Sequence, residues 1–297
     1  MMALLAGSKL AAHTLQLTTG SQLMLPDIFP GVEHLKQFNL RTDAATRLLL
    51  DTGHHLGAVA VPYALAVHED FVITVLELLE RFGHVRRAPG KDADATVNLV
   101  KAWNMHEAVW MTLGQAPPNP GAIHSLDHFH LLREMRNTQI HSGGTISAGL
   151  SKQVTDMSVE SATAWEGLGR RSPADVISTE PLRFTTFDIF AAFATTKALG
   201  RVVNTLLREK VAPEHWAQIC LEDYSNISSK ARGSDMWIRG LLGHTERNYA
   251  ALPITEEQIL DAAIAAGAWT AGRKWTERRS QRGKKQPRDL GTLYPGT

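Results

Sequence analysis

Three side chains in one short run carry the clearest chemistry in this 297-residue chain: Arg136, Asn137 and His141, within Leu131-Leu132-Arg133-Glu134-Met135-Arg136-Asn137-Thr138-Gln139-Ile140-His141. On a helix, Asn137 and His141 are i, i+4 and share a face. Arg136 sits one position round, and its long side chain reaches the same space. Histidine titrates near neutrality, so it can take or give a proton. An arginine fork suits a phosphate and stays charged against a phosphorane-like transition state. An amide can orient either of them. Metal-independent RNA hydrolysis needs such a set: one group takes the 2′-hydroxyl proton, one protonates the leaving 5′-oxygen, and a fixed cation sits at phosphorus. The same residues also read as ordinary helix-end chemistry, because a cation is favoured at a helix C-terminus.

Other candidates are sparser. His124 and His128 are also i, i+4, with Asp127 between them. The two neutral imidazoles could hold a metal, but no third ligand is evident, so a polar helix face is the expectation and no metal or cofactor is assigned. His54-His55 lies in an apolar stretch and reads as a buried or interface pair. Trp103 and Trp110 read as core. No phosphate-binding glycine loop, dinucleotide fingerprint, HExxH, CxxC or GxSxG occurs, so the common nucleotide, zinc and hydrolase signatures are absent.

The elements that must position these residues read as helices. Phe71, Val72, Val75, Leu76, Leu78 and Leu79 recur at helical spacing up to Gly83, with Pro62 breaking or starting the segment. Leu126–His141 reads as a helix stopped by Ser142-Gly143-Gly144. Ser, Thr and Gly crowd the stretch 145–181, which predicts the division between a first domain, 1–155, and a helical second domain, 156–297. Thr186 reads as the cap of a long helix. Pro213 opens another. A third runs from Asp235 to Leu242, ended by Gly243. Thr255-Glu256-Glu257-Gln258 is a capping box. No alternating strand pattern appears, so the fold class is all-α.

Composition agrees. Hydrophobic residues are 43% and charged residues 21%, enough apolar material for a core and too little charge for global disorder. One cysteine, Cys220, excludes a disulfide framework within the chain. No apolar run reads as long enough to span a bilayer and no signal peptide is evident, so the expected setting is cytoplasmic, with no membrane partner. Net charge is −2 over residues 1–150, −3 over 151–270 and +6 over 271–297. Arg273, Lys274, Arg278, Arg279, Arg282, Lys284 and Lys285 in that tail, with Trp275 among them, are candidates for tracking RNA phosphates. A solvated end is the plainer alternative.

Arg136-Asn137-Thr138-Gln139-Ile140-His141 resembles the Arg-polar-x3-His signature of HEPN domains (higher eukaryotes and prokaryotes nucleotide-binding). Gly31-Val32-Glu33-His34-Leu35-Lys36 is loosely similar to an early segment of that family, which makes Glu33 and Lys36, with Arg133 one turn before Arg136, supporting candidates. The resemblance covers about residues 25–150. It implies a bundle of four or five helices that forms a homodimer, with two Arg/His motifs in one composite cleft. It further implies a metal-independent endoribonuclease leaving a 2′,3′-cyclic phosphate, acting as a toxin or antiviral-defence effector, with RNA as substrate and a regulatory or antitoxin partner. Gly143 stands where family members modified by AMP transfer carry tyrosine, which speaks against that mode. Two other expectations remain open: a catalytically inactive HEPN-like RNA-binding or dimerisation module, and a DNA-binding regulator using the C-terminal helices.

Overall fold

The computed structural model describes residues 2–20, 22–37, 40–85, 104–114 and 119–270. Among the described residues the regular structure is helical, apart from one isolated antiparallel bridge between Met24 and Arg41, so the fold is all-α. The chain forms two compact units, Met1–Lys210 and Val211–Thr297.

The first unit contains α1 (Met2–Gln16), α2 (Leu25–Ile28), a 3-10 turn (Glu33–Gln37), α3 (Thr42–Leu50), α4 (Thr52–Arg81), α5 (Met105–Thr112), α6 (Pro120–His141), α7 (Ala148–Asp156), α8 (Val159–Gly169), α9 (Pro173–Val176) and α10 (Thr186–Lys210). Helices α4, α6 and α10 pack together at its centre. Their buried lines include Val61, Leu65, Val72 and Leu76 on α4, Phe129, Leu132 and Met135 on α6, and Ile189, Leu199 and Val203 on α10. A smaller cluster of Leu15, Leu25 and Ala45, with Leu35 packed against it, joins α1, α2, the 3-10 turn and α3.

Several sequence expectations are corrected here. Helix α4 runs through Pro62 without a break. An interior proline removes one hydrogen bond and costs about 3 kcal/mol or more. The long buried line of α4 offsets that, since fully burying each Val or Leu contributes roughly 1.5–3 kcal/mol. The unbroken α4 is also long and apolar enough, by length and composition alone, to cross a membrane. In this fold one line of it, including Val61, Leu65, Val72 and Leu76, is core, while Val59, Tyr63 and Val67 are exposed.

The expected division at residue 155 falls inside the first unit. The Ser/Thr/Gly richness there belongs to caps rather than to a linker. Ser147, Ser158 and Ser172 each accept from a backbone N–H of the first turn of α7, α8 and α9. Helix α10 then returns between α4, α6 and α8, which holds everything up to Lys210 in one unit. Its cap is one residue earlier than expected: Thr185 N–H donates to Asp188 Oδ2 at 2.6 Å, and Asp188 N–H donates to Thr185 Oγ1 at 3.2 Å.

Residues 181–184 form a strap before α10. Leu182 N–H donates to the Gly144 carbonyl at 2.7 Å, and Phe184 N–H donates to His54 Nδ1 at 3.1 Å. Arg183 pairs with Asp51. Two glycines admit the strap. A Cβ at Gly57 would collide with Phe184 Cβ, and one at Gly144, where φ is +92°, would stand 2.9 Å from Pro181 Cβ.

The second unit contains α11 (Pro213–Ile227), α12 (Asp235–Asn248) and α13 (Glu256–Ala265) around Cys220, Leu221, Tyr224, Trp237, Ile238, Leu241, Ile259 and Trp269. Pro213 opens α11 and the Thr255/Gln258 box opens α13, as expected. Gly243 does not end α12, which continues for more than a turn beyond it.

Candidate active site

Helix α6 carries the motif. Asn119 Oδ1 accepts from Ala122 N–H at 2.8 Å to cap its start, and Pro120 occupies the first turn. Gly143 and Gly144, both at positive φ, turn the chain out of its end. Phe129, Leu132 and Met135 fix the helix by burial, which sets the azimuth of every polar side chain between them.

Arg136 and Asn137 interlock. The Nε and Nη2 groups of Arg136 donate to Asn137 Oδ1 at 3.3 and 3.2 Å, and Arg136 Nη1 donates to Glu69 Oε2 of α4 at 3.4 Å. Asn137 Nδ2 donates to Glu134 Oε1 at 3.3 Å. With oxygen toward a cation and nitrogen toward a carboxylate, the amide has one satisfactory orientation. Arg133 Nε faces the other Glu69 oxygen at 3.5 Å. Glu69 therefore sits against two guanidinium groups and balances one of their two charges. All three side chains are less than a fifth exposed. His141 is the last residue of α6 and is exposed to solvent, at the end of the helix dipole that favours a cation. The last turn and a half of α6 thus presents a braced guanidinium and a solvent-facing imidazole.

The other half of the helix turns inward. His128 Nε2 donates to the Ser161 carbonyl at 2.7 Å. Ser161 Oγ donates to Asp127 Oδ2 at 2.5 Å and accepts from His124 Nδ1 at 2.8 Å. Ser161 is fully buried, while His124 and Asp127 are partly exposed, and together the three side chains fasten α6 to α8. Among the described residues no group of His, Cys, Asp or Glu has the arrangement of a metal site. His54 accepts from the strap at Phe184, and His55 lies 3.6 Å from Asp51. Trp110 is core, as expected.

Sequence reasoning missed a buried histidine cluster beside the arginines. His68 of α4 and His106 of α5 meet at 2.9 Å between their Nε2 atoms, with Phe129 edge-on to both rings. One Nε2 must donate and the other accept, so the accepting ring is neutral with its proton on Nδ1, and the two rings cannot both be protonated. Burial pushes His68 down to about 4 and His130 of α6 down to about 4. Burial first, then the positive potential of His68, His130 and Arg133, lowers His106 well below the usual range. The available signal was phase: Leu65, His68 and Val72 fall on one buried line of α4, where a histidine belongs to the core.

Glu33 and Lys36 are exposed on the 3-10 turn, which packs through Leu35 on the α1–α3 cluster. The recorded partners of Arg136 and Asn137 are instead Glu69 and Glu134. The tail candidates Arg273, Lys274, Arg278, Arg279, Arg282, Lys284 and Lys285, and also Trp103, lie outside the described residues. Comparison with protein-family models, with curated proteins and with solved structures returns no match.

Proposed function

We propose that the first unit is a HEPN-like, metal-independent endoribonuclease that works as a homodimer, in the manner of toxins and antiviral-defence effectors. The observation that carries this reading is the braced Arg136–Asn137 pair one turn from the exposed His141 on α6. Arg136 would hold the phosphorane-like charge, Asn137 would keep its fork oriented, and His141 would move the proton. One protomer offers one solvent-facing histidine here, whereas the reaction uses an acid and a base. A twofold arrangement supplies the second. Exposed apolar side chains at Val59, Tyr63 and Val67 of α4, and at Phe187, Phe190 and Phe193 of α10, favour self-association. The test is incubation of the purified chain with total RNA in EDTA. Cleavage to 2′,3′-cyclic phosphate ends that persists in chelator, and a dimer by light scattering, are the expected results. Cleavage abolished by EDTA, or an active monomer at micromolar concentration, would overturn the reading.

A second reading has its own observation. Glu69 takes up Arg136 and Arg133 together, which lowers the charge left for phosphate. That favours an RNA-binding or dimerisation module without cleavage, and intact RNA retained by a dimer would identify it.

A further inference from the structure

The second unit has a cavity that the ribonuclease reading does not use. It lies where α11 ends against one face of α12, with a volume of about 440 Å³, and Ser228, Lys230, Arg239, His244 and Arg247 are among its lining residues. Residues 211–270 carry four Lys/Arg, namely Lys230, Arg232, Arg239 and Arg247, against eight Asp/Glu. Three of those four cations line this one cavity, and no Asp or Glu does. In a stretch that is acidic as a whole, that segregation needs a cause. The partial negative charge at the end of α11 could be met by a single cation and does not account for three.

The cations are available. Lys230, Arg239 and Arg247 are exposed, and among the described residues none of them has a recorded ion pair. Arg239 Nε donates to the Asp235 carbonyl, which steadies its stem at 3.0 Å and leaves both Nη groups for a ligand. His244 is fixed at the cavity wall: its Nε2 donates to Asp223 Oδ2 at 2.8 Å, and its Nδ1 accepts from Asn248 at 2.9 Å. The missing side chain at Gly240 makes room for Tyr224, and the one at Gly243 leaves open floor. A Cβ at Gly240 would collide with the Tyr224 hydroxyl and stand 3.3 Å from Lys230 Nζ, so a hydroxyl and an ammonium converge in the space a larger residue would fill. Gly243, one turn on, also lines the cavity and has open space where its Cβ would be.

Guanidinium forks, an ammonium and hydroxyl donors around an open floor are the complement of a phosphate group. The volume exceeds what a bare ion needs, and Ile227, another lining residue, is exposed at 65% and offers an apolar surface to a base. Residues 271–297, which follow in sequence, carry +6. We propose that this cavity is a phosphate site that takes a phosphate of an RNA strand or of a free nucleotide, independently of the α6 motif.

The test uses the full chain carrying His141→Ala, so that no probe is cut, with a labelled single-stranded RNA and AMP as probes. Lys230→Ala/Arg239→Ala/Arg247→Ala is compared with Arg41→Ala/Arg208→Ala/Lys210→Ala, which removes the same charge from exposed positions on the first unit. The cavity variant is expected to bind RNA at least tenfold more weakly at ~50 mM salt. Its slope of log K against log salt should be shallower by about 2, since each phosphate contact on a single strand contributes roughly 0.7. The control variant should change little. AMP that displaces RNA from the parent would assign a nucleotide-sized pocket. RNA binding that needs the three cations while AMP does not compete would assign a backbone phosphate. Equal RNA and AMP binding by cavity variant and parent, equal losses in cavity and control variants, or no binding of either probe by the parent, overturns the proposal.

Discussion

Helix α6 uses histidine in two ways within six turns. His124, His128 and His130 on its first half face α8 or the interior, where burial holds His128 and His130 below their usual range. His141 in the last turn faces water. The chemistry available to each follows from what surrounds it. A histidine whose proton is committed to a buried carbonyl fixes geometry. One at an open helix end can exchange protons with solvent and substrate. The arginines sit where that change occurs, because Glu69 braces both Arg136 and Arg133 where the helix passes from core to surface.

The largest expected effect separates the two halves directly. His141→Ala should lower the rate of RNA cleavage by ~10²–10⁴ and leave the melting temperature unchanged. His128→Ala should do the reverse, costing about 1–3 kcal/mol because the buried Ser161 carbonyl loses its donor. Cleavage assays and thermal melts on both variants check this, and a destabilised His141→Ala would collapse the distinction.

Next comes acid. Unfolded histidine binds a proton near 6.5, whereas folded His68 and His130 do so only near 4. The unfolded chain therefore binds more protons between those values, and stability is full above pH 6.5 and falls as pH drops from 6.5 toward 4. For His68 the loss is on the order of 3 kcal/mol. Urea midpoints across this range should decline with acid, and His68→Gln should flatten the decline. Midpoints constant from pH 6.5 to 4 would contradict the buried, neutral pair.

A smaller change tests the brace. Glu69→Gln keeps the shape and removes the charge that faces both arginines. Stability should fall by about 1–2 kcal/mol, less than for a fully buried pair. RNA should bind more tightly while cleavage slows, because the fork gains charge and loses orientation. Binding and single-turnover rates report the two separately; parallel losses in both would make Glu69 merely structural. Smallest is removal of residues 271–297, expected to weaken RNA binding and flatten its salt slope while leaving the saturated cleavage rate unchanged.

Much of this was legible in residue types alone. Helix starts at Pro213 and Thr255, the stop at Gly143-Gly144 and the helix bearing Arg136, Asn137 and His141 rest on local rules of capping and glycine conformation. What escaped was set by contacts distant in sequence. Pro62 is carried inside α4 because burial along the helix outweighs a local defect. Serines that resemble a linker are caps because α7, α8 and α9 have partners to pack on. Glu69 lies 67 residues before Arg136, and no spacing rule joins them. The pairing of His68 with His106 likewise depends on how α4 and α5 meet.

The strap at 181–184 also constrains how this chain can drift in sequence. At Gly57 the conflict is with Phe184 Cβ, an atom every residue but glycine possesses, so trimming the phenylalanine to a smaller side chain gives no relief. At Gly144 the same bulk problem is joined by a backbone angle that other residues rarely adopt. Chains descending from a common ancestor could exchange most exposed positions of α6 and keep this architecture. They could not gain a side chain at 57 or 144 without moving the strap, so both positions would stay glycine in lineages whose surfaces share little else.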